Sequence, residues 1–145
     1  MTRSFKNRSR LRLNEPFTAT ETMRLREVRV RLLHLHQTLL EMERKSFERT
    51  HGRVNNGELL QLVINHEQFA WLRMISALVV QIDEMLDEDE PATHADVSNL
   101  TTGARQLFTG SEDREFQQKY QLALQQEPGV VMAHSALMKL LRSKV

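Results

Sequence analysis

Leu25, Val28, Leu32, Leu35, Leu39 and Met42 recur at alternating spacings of three and four. That repeat lines one side of an α-helix along its whole length. Thr18 followed by Glu21 supplies a capping-box pattern ahead of the run, so a first helix is predicted over 19–50. Leu33, Leu40 and Phe47 form a second row, with His36 and Glu43 interleaved. The apolar face is therefore wider than a two-stranded seam, which favours a bundle. Gly52, then Asn55, Asn56 and Gly57, mark a cap and a turn at which the chain reverses. A second helix is predicted over 58–64, with a kink or a fresh N-cap at Asn65. The third runs over 67–86 and carries Leu72, Ile75, Val79, Ile82 and Leu86 on one row, with Trp71, Leu78 and Met85 beside it. As the most apolar segment, it is expected at the centre.

Three shorter helices follow. The stripe Val97, Leu100, Ala104, Leu107 and Phe108 predicts a helix over 94–108, and Ser111 is the expected N-cap of the next, whose inner side offers Phe116, Tyr120, Ala123 and Leu124. Pro128 sits at a natural first helical position, and Val130, His134, Leu137 and Leu141 then mark the face of a helix over 128–142. No alternating strand pattern and no fixed-period repeat is visible. The first helix, and the second and third taken together, are each about 30 residues long, or about 45 Å at the helical rise, which suits an antiparallel pair. The expected fold is all-α: a helical bundle built on a long antiparallel helical hairpin plus three shorter helices. A single domain is expected over 18–145. Residues 1–17 are basic, with too few large apolar side chains to bury (Phe5, Leu11 and Leu13 before Pro16), and read as a disordered arm.

The chain has 145 residues, with 40% hydrophobic and 27% charged positions, a composition that excludes collagenous and wholly disordered chains. No apolar run approaches the roughly 18 residues a bilayer requires. The absence of cysteine removes disulfides, thiolate metal sites and cysteine nucleophiles. The N-terminus lacks the apolar core of a secretory signal, so a cytoplasmic location is expected. Charge is unevenly distributed. Up to Arg31 there are nine basic residues against three glutamates, a net of +6, and the rest of the chain carries −5. Much of that negative charge is concentrated in Asp83, Glu84, Asp87, Glu88, Asp89 and Glu90. Such polarity steers a polyanion to the basic end, docks that end onto an acidic segment, or leaves both simply solvated.

The six histidines raise the question of a metal site. Glu48 and His51 make the only Glu-x-x-His unit, whereas a di-iron bundle needs two. His34 and His36 point about 200° apart on a helix and cannot share one ion. If the hairpin turns near Val54 and Asn55, facing residues have numbers adding to about 109. Glu43 then opposes His66, and His36 opposes Arg73, a minimal set for acid–base work or for holding an anion. The same residues also read as polar crossings hydrogen-bonded within an apolar interface. His134, in an apolar row, reads as a packed and hydrogen-bonded histidine rather than a ligand.

Nucleotide-binding, zincin and nucleophile-elbow motifs are all missing, which argues against an enzyme and implies no cofactor. The leading expectation is a non-enzymatic protein acting through self-association as a homo-oligomer or through a protein partner. Leu25, Val28, Arg29 and Leu32 are the expected contacts, and the acidic segment is their electrostatic counterpart. One alternative is a small-ligand or metal-binding bundle using His36, Glu43, His66 and Arg73. Another is nucleic-acid binding through the basic arm and Arg24, Arg26, Arg29 and Arg31, although the arm is poor in the aromatics that stack on bases and no helix-turn-helix spacing is clean.

Overall fold

A computed structural model describes residues 18–87, 89 and 92–143, so the basic arm at 1–17 lies outside the described residues. The described residues form seven helices and no strand: α1 (Ala19–His51), α2 (Asn56–Asn65), α3 (Glu67–Ala70), α4 (Arg73–Met85), α5 (His94–Gly110), α6 (Arg114–Gln126) and α7 (Pro128–Arg142).

Local chemistry sets most of the helix ends. At the start of α1 the Thr18 hydroxyl accepts from the Glu21 N–H at 3.2 Å, and Glu21 Oε1 accepts from the Thr18 N–H at 3.0 Å. Two otherwise orphaned donors are thereby satisfied. The helix stops at Gly52, whose φ of 84° and ψ of 174° belong to a region that only glycine enters without strain. Thr93 and Asp96 make a second reciprocal box at the start of α5. Two caps differ from the sequence expectation. His66, not Asn65, caps α3 through its Nδ1, which accepts from the Gln68 N–H at 3.1 Å, and α6 starts from Asp113, which receives the Phe116 N–H at 3.0 Å. Ser111 instead accepts from the Asp113 N–H and shapes the turn before it.

The long hairpin is present. Arg29 meets Asp83, His36 meets Ser76 and Glu43 meets Gln68, so partner numbers fall on one helix as they rise on the other. The second arm is not one continuous rod. The chain turns at Trp71 and Leu72 between α3 and α4, using three-residue hydrogen bonds such as Leu72 N–H to Phe69 O at 3.2 Å. Phe69 and Trp71 would point about 200° apart on a straight helix. The turn lets both go inward, and they are 0% and 3% exposed.

The centre of the bundle is α1 rather than α4, because α1 packs most extensively on α7 and next on α4. Helix α7 also runs antiparallel to α1. Arg24, near the start of α1, reaches the Leu140 carbonyl near the end of α7, while a Cβ on Gly129 would lie 3.5 Å from Thr38. One continuous core results. Its aromatic heart stacks Phe116 on Tyr120 at 5.4 Å, with Phe108 and Trp71 against them.

Candidate functional site

The seam between α1 and α4 holds the first candidate set. Its observed pairs have residue numbers adding to 111 or 112, not to 109. Fold-back counting treats the second arm as an unbroken helix, but the loop after Gly52 and the cap at His66 shift the Glu43–Gln68 pair by two residues, and the turn at Trp71–Leu72 shifts the later pairs by one more. The shift changes every partner. Glu43 accepts from the Gln68 amide at 2.8 Å, and His36 Nε2 lies 3.2 Å from the Ser76 hydroxyl. Burial lowers the pKa of His36, which favours its neutral form.

His66 and Arg73 have local roles. The His66 ring caps α3 and packs edge-on against Phe47 at a centroid distance of 5.3 Å, while Phe47 stacks on His51 at 4.1 Å. The Arg73 guanidinium donates to the Ile64 and Val63 carbonyls and so satisfies the end of α2. His36 and Glu43 therefore remain in one seam, but the structure does not bring the four residues together around a common point. Among the described residues, no group of three His, Asp or Glu side chains is placed to hold a metal ion.

The second candidate set is Leu25, Val28, Arg29 and Leu32. The three apolar members are 2%, 3% and 0% exposed. Helices α7 and α4 cover that face from two sides, so it belongs to the core and is closed to a partner unless the bundle opens. Arg29 is paired within the chain, its Nε 2.6 Å from Asp83 Oδ1. One contact between the basic end and the acidic segment is thus made internally. Arg24 is likewise engaged, donating from Nη2 to the Leu140 carbonyl at 2.7 Å and from Nε at 3.2 Å. Burial, and secondarily the charge of Arg105, lowers its pKa. Arg26 and Arg31 are the two of this group that stay exposed.

What the chain leaves uncovered on α1 is a different row. Met23 is 69%, Val30 59% and Leu33 40% exposed. Leu33 lies between Arg29 and His36 on the helix surface, and on α4 the residue midway between Asp83 and Ser76 is Val80, which is 54% exposed. The solvent side of the α1–α4 seam is therefore an apolar window framed by Arg29–Asp83 and His36–Ser76. Periodicity marked the strongest stripe as the contact surface. Of the second row, Leu33 alone is exposed, whereas Leu40 is half-buried and Phe47 lies in the core; Met23 and Val30 belonged to neither row.

Two further polar pairs had no warning in residue spacing. Glu21, only 9% exposed, holds His94 Nδ1 at 2.6 Å and ties the start of α1 to the start of α5. The Tyr120 hydroxyl lies 2.7 Å from His134 Nδ1, so His134 is packed and hydrogen-bonded. Burial raises the pKa of Tyr120, and burial together with Arg142 lowers that of His134. The buried Trp71 Nε1 has no hydrogen-bond partner among the described residues.

The clefts on the surface are open. One of about 510 Å³ lies between α4 and α5, lined by Glu84, Asp96 and Asn99 among others, and another of about 500 Å³ lies between α1 and α7 beside Arg31, Met132 and Lys139. Neither contains His36, Glu43, His66 or Arg73. Among the described residues no helix is long and apolar enough to cross a membrane. Comparison with family models, with curated proteins and with solved structures finds no match for the chain.

Proposed function

We propose that this protein acts by association, as a non-enzymatic helical module that pairs with itself or with another protein. The observation that carries the reading is the uncovered row Met23, Val30 and Leu33 together with Val80, four of the nine large apolar side chains that the described residues leave exposed, grouped along one side of α1. Single exposed apolar residues are ordinary, but several along one edge of a long rigid helix form a surface whose burial is favourable, by about 25 cal/mol per Å² removed from water. A helix of this length also presents its side chains at fixed spacing, so docking requires little backbone ordering.

The test is sedimentation equilibrium of the wild type and of Val30→Lys from low to high micromolar concentration, with a mixed sample of candidate partners run in parallel. Concentration-dependent mass that Val30→Lys abolishes supports self-pairing. If no complex of either kind forms at high micromolar concentration, the association reading is wrong.

A further inference from the structure

The exposed side of α1 is patterned in charge as well as in hydrophobicity. Met23, Arg26, Val30, Leu33 and Gln37 follow one another at spacings of three and four, and Glu41 continues the row one turn on. All six residues are exposed, Leu33 at 40%, and His34 beside them is exposed too. The row is basic toward the start of the helix, at Arg26, and acidic farther along, at Glu41. The Glu41 side chain is 49% exposed and only loosely held by Arg44, at 3.6 Å.

We propose that the occupant of this face is a second copy of the chain, laid antiparallel across α1 about a two-fold axis between Leu33 and His34. The inference rests on the association reading and adds to it the partner, the surface and the register. An axis at that point sets Arg26 against Glu41 of the other copy and Val30 against its Gln37. Leu33 packs beside His34 at the centre, and Val80 of each copy closes one flank. Because a two-fold contact uses the same patch twice, the Arg26–Glu41 pair occurs two times. Charge disfavours the parallel arrangement, which sets Arg26 against Arg26 and Glu41 against Glu41. The strongest apolar stripe is unavailable, being already buried against α7 and α4. A single helical row with one flanking side chain falls at the small end of stable interfaces, so the dimer forms in the micromolar range.

The absence of cysteine from the chain makes the register directly readable. Arg26→Cys and Glu41→Cys chains are prepared separately, checked for native helicity, then mixed and treated with a short bismaleimide. The expected product is a mixed dimer that neither chain yields alone. In sedimentation, Arg26→Glu weakens pairing about tenfold, and adding Glu41→Arg to the same chain restores it. Cross-linking of Arg26→Cys to itself shows a parallel dimer, which overturns the register while leaving association standing. A dimer that gives neither cross-link places the contact elsewhere and overturns the surface. A protein that stays monomeric at high micromolar concentration overturns this inference, and with it the self-pairing form of the association reading.

Discussion

Replacing Tyr120 with Phe isolates one buried hydroxyl without disturbing the packing around it. Tyr120 is 1% exposed, and its ring stacks on Phe116 at 5.4 Å and lies 5.3 Å from Phe108; phenylalanine preserves all of this. What is lost is the 2.7 Å contact to His134 Nδ1. With both groups neutral, the phenol is the stronger donor and the imidazole nitrogen accepts. A net hydrogen bond contributes about 0.5–1.5 kcal/mol, and an abandoned buried partner adds more. His134 is only half-buried, so water reaches the freed nitrogen and the cost stays near 1 kcal/mol, or about 3–5 °C in Tm for a domain of this size. Tyr120→Ala, by contrast, empties the aromatic heart and costs about 3–5 kcal/mol.

Urea unfolding near neutral pH supplies the assay. Trp71, the only tryptophan, packs edge-on against Phe116 at 5.5 Å and reports on this part of the core. A proton titration of His134 by NMR supplies the second readout. Burial and then Arg142 hold the His134 pKa down and both persist in the variant, but a donor to the ring nitrogen also favours the neutral imidazole, so its removal shifts the titration upward. A Tyr120→Phe protein as stable as the wild type, with an unmoved His134 titration, would refute the argument.

Three other outcomes follow from the same structure. Leu32→Ala, at a position 0% exposed, lowers unfolding free energy by about 2–5 kcal/mol in urea titration, while Leu33→Ala, next door and 40% exposed, costs about 1 kcal/mol or less and acts mainly on self-association. Equal stability losses would show that the two faces are not distinct. At Gly52 a Cβ meets nothing within 4 Å, yet φ is 84°, so Gly52→Ala destabilises through backbone strain alone, by about 1–3 kcal/mol; an unchanged Tm would refute the left-handed turn. The third outcome concerns acid. His36 and His134 both have folded pKa values below the ordinary 6.5, so between those values the unfolded chain binds more protons than the folded one. Their contribution to stability is complete above about pH 6.5 and is lost as pH falls below it. The fall in urea midpoint from about pH 7.5 to about pH 5.5 should be smaller in a His36→Gln, His134→Gln double variant, and an identical fall in wild type and variant would contradict the assignment.

Much of this fold was legible without coordinates, because it depends on local rules. The spacing of Leu25 through Leu39 makes one side of α1 apolar whatever it packs against, Thr18 with Glu21 and Gly52 set its ends, and Pro128 opens α7 where a missing N–H does no harm. The antiparallel hairpin follows from two rods of similar length joined by a tight turn. Its register does not. Whether Glu43 meets His66 or Gln68 depends on how far the chain advances through the loop after Gly52 and the cap at His66, while the turn at Trp71, where Phe69 and Trp71 are both drawn into the core, shifts the pairs beyond it by one more residue. The surface was hidden for a related reason. Periodicity shows which side of a helix is apolar but not how many neighbours compete for it. Only the tertiary structure brings α7 along α1 beside α4, buries Leu25, Val28 and Leu32, and leaves Met23, Val30 and Leu33 in water. Residues near in sequence interact by rules that apply before folding, while those far apart meet only where the packing of the whole chain puts them.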